Sequence, residues 1–192
     1  MAILHHAVAR LSLYFCIVHS LHTLLLAKRH SSVGWLWYAN ALNSQQMATS
    51  NFTTTFVVDQ SPQEVFNAIN NIRGWWTEDM DGDSQKLNDE FTVRFADVHV
   101  STQQVVELIP AQKLVWLVTN SQLNFIQDKQ EWMNTSIAFD IRTQDNQTQI
   151  HFTHVGLVPQ IDCFDTCSTA WSRYIQGSLF KLITEGKGRP GL

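Results

Sequence analysis

From residue 52 onward, apolar and polar side chains alternate in a pattern that predicts an antiparallel sheet. The stretch 52–58, FTTTFVV, is rich in β-branched and aromatic residues, which is typical of a strand. Further strands are predicted where the same two-residue period returns, at 90–95, 99–109, 113–119, 135–143 and 148–157. Because successive side chains point to opposite faces of a sheet, each strand offers one apolar face for burial.

The period changes to three and four residues after the first strand, where it predicts a short helix in SPQEVFNAI. Ser61 can act as its N-cap, Pro62 occupies the first helical position, and Glu64 completes a capping box. NIRGWW, at 71–76, then predicts a second short helix or turn.

A long amphipathic helix is predicted near the C-terminus, over about residues 161–184. Its apolar positions recur every three or four residues and form one stripe: Phe164, Cys167, Trp171, Ile175, Leu179 and Leu182. A one-sided sheet and a one-sided helix can cover each other. The expected fold class is therefore α+β, a curved antiparallel sheet wrapped around the long C-terminal helix, with two short helices after the first strand.

Residues 1–46 differ in pattern from the domain expected at 47–192. The run 11–27 contains no Asp, Glu, Lys or Arg, but its 17 residues are at the short limit for a membrane span. This extension is a membrane anchor, a signal-like leader or an upstream artefact, since MATSNFTTTFVV from Met47 resembles a natural start. The domain is expected to be cytoplasmic, and anchoring through 11–27 is the alternative.

The composition indicates a globular protein that does not bind nucleic acid. Hydrophobic residues make up 44% of the chain, charged residues 16%, and the net charge is −4. Phosphate neutralisation needs clustered Lys and Arg, which the sequence lacks. Seven Trp and eleven Phe can build a large core or line an apolar cavity.

The acidic stretch EDMDGDSQKLNDE resembles a calcium-binding EF-hand loop. Asp79, Asp81, Asp83 and Glu90 have the carboxylate spacing of that loop. However, Ser84 stands where the loop needs glycine, and the following FTVRF predicts a strand where an EF-hand has a helix. A solvated acidic loop is therefore expected.

No other motif predicts a metal or cofactor site. The chain has no phosphate-binding glycine-rich loop, no GxSxG elbow and no HExxH. Cys163 and Cys167 lack companion ligands at zinc spacing and are interpreted as small buried hydrophobic residues. Neither a metal nor a cofactor is expected.

The order of these elements resembles the START-like superfamily, also called SRPBCC or Bet v 1-like. The phrases that carry the resemblance are SPQEVFNAI, GWW, VVELIPAQKLVWLV and THVGL, in this order between residues 52 and about 186. Within the superfamily, the chain is similar to the group related to the activator of the Hsp90 chaperone ATPase. The resemblance implies a helix-grip fold with a hydrophobic cavity between sheet and helix. Members bind lipids, sterols or polyketides, and some catalyse cyclisation or dehydration.

Ten residues are candidate ligand contacts in such a cavity. They are Trp76, Phe91, Val93, Phe95, Trp116, Phe139, Phe152, His154, Trp171 and Tyr174. The apolar members are interpreted first as core and second as cavity wall. Trp75 and Trp76 could gate a pocket mouth, with one packed beneath the short helix and the other partly exposed. Tyr174 either offers its hydroxyl to a ligand or lies at the surface.

His154 is the polar candidate, because the alternation in IHFTHVG directs Ile150, Phe152 and His154 to the inner face of the sheet. It is either a hydrogen-bond donor or general acid–base in the pocket, or a core histidine bonded to a backbone carbonyl. We favour the core histidine, since no catalytic partner is visible in the sequence.

Three functions follow as hypotheses. The leading one is binding of a small hydrophobic molecule, lipid-like or polyketide-like, without proven catalysis. The second is a co-chaperone-like interaction domain that acts through its surface. The third is a cyclase or dehydratase with His154 or Tyr174 as acid–base, and an enzyme is the less expected outcome. Cavity volume separates the first two, because a ligand pocket needs roughly several hundred Å³.

Overall fold

The computed structural model describes residues 50–191, and the following account concerns this part of the chain. The predicted extension at 1–46, with its candidate anchor at 11–27, lies outside the described residues. Within 50–191, no helix has both the length and the apolar character needed to cross a membrane.

Seven antiparallel strands form one curved sheet in the order β1-β7-β6-β5-β4-β3-β2. The strands are β1 (Phe52–Val58), β2 (Met80–Gly82), β3 (Glu90–Phe95), β4 (His99–Ile109), β5 (Lys113–Leu123), β6 (Ser136–Gln144) and β7 (Gln147–Val155). All six predicted strands are present. The three-residue β2 is an addition, and β5 extends four residues beyond its predicted end at 119.

Two short helices follow β1, as predicted: α1 (Pro62–Asn70) and α2 (Ile72–Trp75). The capping box is confirmed, since Ser61 Oγ accepts from the backbone N–H of Glu64 and the Glu64 carboxylate accepts from the backbone N–H of Ser61. Both bonds satisfy donors that the first turn of a helix leaves unpaired.

The C-terminal helix runs without interruption through three segments: α3 (Phe164–Arg173), a π-helical segment (Tyr174–Leu179) and α4 (Phe180–Glu185). It ends at Gly186, whose φ of 74° is a left-handed conformation that glycine adopts without steric cost. Together with the sheet and the two short helices, it confirms the expected α+β class and the helix-grip arrangement.

Tryptophan side chains fill much of the space between the sheet and the C-terminal helix. Five are buried: Trp75, Trp76, Trp116, Trp132 and Trp171. The ring of Trp76 stacks on Trp75 at 5.8 Å and on Trp116 at 6.2 Å, and it lies 4.9 Å from Trp171. The expectation that either Trp75 or Trp76 is partly exposed is wrong, because both contribute to this stack and are 0% and 2% exposed.

The acidic stretch forms part of a β-hairpin. Its β2 pairs with β3, so Glu90 begins a strand, as predicted. Arg94 on β3 pairs with Asp81 at 2.7 Å and Asp79 at 3.5 Å. Asp89 accepts hydrogen bonds from backbone N–H groups within the turn. These carboxylates therefore have local roles as ion-pair partners and turn caps.

We expect Trp75→Phe to destabilise the protein more than Trp116→Phe, by about 1–3 kcal/mol. The Trp75 indole donates to the carbonyl of Ile69, which lies in the last turn of α1 where carbonyls lack helical partners. The indole N–H of Trp116 is buried without a partner among the described residues. Both substitutions remove similar volume, but only the first leaves a buried carbonyl unsatisfied. Urea unfolding of both variants measures the difference, and equal losses would contradict it.

Candidate functional site

An aromatic pocket of about 200 Å³ opens at one end of the space between the sheet and the C-terminal helix. Its walls are the rings of Trp76, Phe95, His99, Trp132, Trp171 and Tyr174. The rest of the lining consists of Val98, Phe125, Thr166, Cys167 and Ala170. Val98 and Phe125 are 48% and 40% exposed, so the mouth has an apolar rim.

The walls come from four parts of the fold that are distant in sequence, and the first is Trp76, which directly follows α2. Phe95 and His99 face each other across the turn between β3 and β4. Trp132 belongs to the connection between β5 and β6. Trp171 and Tyr174 are three residues apart on the C-terminal helix, and neighbours at this spacing share a helix face. Tyr174 also begins the π-helical segment, a local widening often found at functional sites.

The pocket is uncharged at neutral pH, since none of its described lining residues is Asp, Glu, Lys or Arg. Burial lowers the pKa of His99 to about 4, which keeps its imidazole neutral. Burial raises the pKa of Tyr174, so its hydroxyl stays protonated. The site therefore suits a neutral molecule with flat apolar surface.

His154 lies behind the pocket in a directed chain of hydrogen bonds. The indole N–H of Trp171 donates to Nδ1 of His154 over 2.9 Å. An indole can only donate, so Nδ1 carries no proton and the imidazole proton lies on Nε2. That nitrogen donates to Thr135 Oγ1 over 2.9 Å, and the threonine hydroxyl donates to the carbonyl of Trp132 over 2.6 Å.

Both ring nitrogens of His154 are thus engaged, and the side chain is 0% exposed. Burial and, secondarily, the neighbouring His99 lower the pKa of His154 to about 3. These observations favour the core-histidine interpretation, although the partners are a hydroxyl and an indole and no backbone carbonyl is bonded directly. A role in acid–base catalysis would require the chain to break.

The structure brings only some of the ten sequence candidates into the pocket lining. The four that line it are Trp76, Phe95, Trp171 and Tyr174. The six that lie in the filled core beside it are Phe91, Val93, Trp116, Phe139, Phe152 and His154. Contact between these six and a ligand stays a prediction that would require the core to open. Tyr174 is 7% exposed and is therefore not a surface tyrosine.

Sequence reasoning missed His99 and Trp132, two of the six wall residues. His99 begins a strand directly after a turn, and Trp132 lies in a connection without regular structure. The one available signal was a tryptophan in an otherwise polar loop sequence, QDKQEWMN. Their proximity depends on the three-dimensional path of the chain, since their ring centroids are 4.7 Å apart.

No protein-family model and no curated protein sequence matched the chain. Among solved structures, the chain is similar to the Aha1 dimer from Colwellia psychrerythraea, with 27% identity, a TM-score of 0.59, and coverage of 72% of this chain and 99% of that one. CalU16 from Micromonospora echinospora has 11% identity and a TM-score of 0.51, covering 68% and 73% of the two chains.

The fold is START-like, of the SRPBCC type, and is related to that of Aha1. DynU16, a putative protein in the dynemicin biosynthetic locus, is a further similar structure, with 12% identity and a TM-score of 0.54. The alignment covers 71% of this chain and 48% of DynU16. At 11% and 12% identity, CalU16 and DynU16 support the START-like fold alone.

Two thiols of the START-like domain lie close to the pocket. Cys163 is buried and its sulfur accepts a hydrogen bond from the indole of Trp132 over 3.2 Å. A hydrogen bond with Cys163, together with burial, raises the pKa of Cys167 well above its ordinary range. Since the thiolate is the nucleophilic form, the raised pKa disfavours reaction at Cys167.

The lowered pKa of His154 predicts acid sensitivity of the START-like domain. The unfolded chain binds a proton near the ordinary pKa of 6.5, whereas the folded state resists protonation until about 3. Above pH 6.5, His154 is neutral in both states and costs no stability. As the pH falls from 6.5 towards 3, protonation of the unfolded chain alone lowers the free energy of unfolding. We expect His154 alone to account for about 2 kcal/mol of lost stability between pH 7 and pH 5.

Urea unfolding at both pH values measures this loss in the native protein and in His154→Gln, which cannot titrate. The loss of unfolding free energy between pH 7 and pH 5 should be smaller in His154→Gln than in the native protein, by the amount assigned to His154. His151→Gln, on the outer face of the same strand, is the matched control and should keep the native loss. An undiminished loss in His154→Gln would contradict the proposed burial of a neutral imidazole.

Proposed function

We propose that the START-like domain binds a small, uncharged, hydrophobic molecule in the aromatic pocket, without catalysing a reaction on it. The supporting observation is the pocket itself, in which six rings converge and charged groups are absent from the described lining. Aromatic walls with a few polar groups are typical of small-molecule sites. The rings pack on one another, with Trp132 and Trp171 stacked at 5.8 Å, so the site is formed before a ligand arrives.

The volume limits the size of the ligand. At about 200 Å³, the pocket is smaller than the sites that enclose drug-sized ligands, which measure about 300–1,000 Å³. A molecule of one or two rings, or the end of a longer chain, is the proposed occupant. A complete sterol or lipid would have to extend over the apolar rim at Val98 and Phe125.

The polar groups near the pocket support binding over catalysis. His154, the residue that a cyclase or dehydratase would use as its base, has both nitrogens bonded in the core. The thiol of Cys167 stays protonated at neutral pH. Tyr174 remains the wall residue that an enzyme hypothesis can invoke.

A co-chaperone-like interaction is the second candidate function. It is favoured by the 27% identity with the Aha1 dimer, which extends over 99% of that chain. A largely filled core also suits a domain that acts through its surface. This candidate predicts that the full chain binds an Hsp90 chaperone and stimulates its ATPase, and that substitutions filling the pocket leave this stimulation unchanged.

We expect Ala170→Phe to abolish ligand binding, because Ala170 lines the pocket and a phenyl ring at this position would occupy it. Thr169→Phe is the matched control, since Thr169 is exposed and is not part of the lining. Native mass spectrometry of the gently purified full chain tests this. A bound mass should be present in the native protein and in Thr169→Phe, and absent from Ala170→Phe.

Two results would contradict the proposal. One is a ligand that is retained equally in Ala170→Phe, which would mean that it binds elsewhere. The other is an unliganded mass that stays unchanged after incubation with a library of small aromatic and lipid-like compounds. With a positive chaperone ATPase assay, the second result would favour the interaction function.

A further inference from the structure

Two buried polar residues on the inner face of β4 have no role in the core described above. Ser101 and Gln103 are 1% and 0% exposed, although inner-face positions of this sheet are otherwise mostly apolar. Burial of a hydroxyl and an amide is costly unless each is hydrogen-bonded. Their hydrogen bonds lead to His99 in the pocket wall.

The orientation of Gln103 determines the direction of this chain. Its amide nitrogen faces the carbonyls of Phe91 and Ser101, at 3.2 and 3.3 Å, and donates to both. The opposite orientation would direct the amide oxygen at two other acceptors. The amide oxygen therefore accepts from the hydroxyl of Ser101.

Because the Ser101 hydroxyl donates its proton to Gln103, it must accept from His99. The two atoms involved, His99 Nε2 and Ser101 Oγ, are 2.9 Å apart. The neutral imidazole thus carries its proton on Nε2 and leaves Nδ1 as a bare acceptor. A serine and a glutamine buried in the sheet hold His99 in a single tautomer.

Within residues 50–191, Nδ1 of His99 has no hydrogen-bond partner. It is also not among the buried side-chain nitrogen and oxygen atoms that lack a hydrogen-bond partner in this part of the chain. Those atoms are Gln60 Oε1, Asn70 Oδ1 and Trp116 Nε1. Nδ1 is therefore accessible, and the ring that carries it lines the pocket. An acceptor facing aromatic walls is best satisfied by a donor on the bound molecule.

We infer that the ligand is a small neutral aromatic molecule with one O–H or N–H donor, phenol-like or indole-like, that bonds to Nδ1 of His99. This inference rests on the proposed function and narrows its ligand class. A carboxylate or phosphate is disfavoured, because Nδ1 offers it a lone pair and the described lining contains no Lys or Arg. An unsubstituted hydrocarbon would cover this acceptor without giving it a partner.

The test compares two probes of nearly equal shape, 2-naphthol and 2-methoxynaphthalene, by isothermal titration calorimetry on the full chain. We expect 2-naphthol to bind about tenfold more tightly, since only it can donate to Nδ1. His99→Phe keeps an aromatic ring beside Trp132 but removes the acceptor, so both probes should bind it with similar affinity. Ser101→Ala removes the hydroxyl that fixes the tautomer of His99. This variant should therefore show a smaller preference for 2-naphthol.

Thr102→Ala is the control, because Thr102 lies on the outer face of β4 and should leave the preference intact. The comparison in the native protein needs no variant and therefore does not depend on whether His99→Phe folds. Equal affinity for the two probes in the native protein would overturn the inference about His99 while the pocket remains a binding site. Binding of neither probe would overturn the proposed function and this inference together.

Discussion

The pocket depends on one buried chain of hydrogen bonds, from Trp171 through His154 and Thr135 to the backbone of Trp132. It joins the C-terminal helix, β7 and the connection before β6, which are the parts that must meet for Trp132 and Trp171 to stack. Apolar packing alone tolerates small shifts between such elements. A fully satisfied polar chain in a low-dielectric core does not, because any displacement leaves a donor or acceptor unpaired.

The tryptophan side chains in the core explain why the cavity is small. A helix-grip fold leaves room between a curved sheet and a helix, and aromatic side chains occupy more of that room than aliphatic ones do. Here the stack from Trp75 to Trp116 fills the centre, and the remaining space lies at the end bounded by Tyr174. The size of the cavity is therefore determined by which core positions carry indoles.

The sequence predicts the framework well, because each element depends on local chemistry. The alternation in FTTTFVV and the capping box at Ser61 are complete within a few residues, and both are present in the structure. It predicts the site less well. Alternation assigns Phe139 and Phe152 to the inner face but cannot tell a filled interior from a cavity. The roles of His99 and Trp132 arise from contacts between distant segments, which no local pattern encodes.

The two histidines beside the pocket differ in how their ring nitrogens are used. His154 and His99 are both kept neutral by burial, and each donates from Nε2 to a neighbouring hydroxyl, that of Thr135 or Ser101. They differ at Nδ1, which in His154 accepts from the Trp171 indole and in His99 has no partner among the described residues. The same tautomer therefore closes a hydrogen-bond chain inside the core at His154 and leaves an acceptor in the pocket wall at His99. Ser101 and Gln103, buried in an otherwise apolar sheet face, hold His99 in this tautomer.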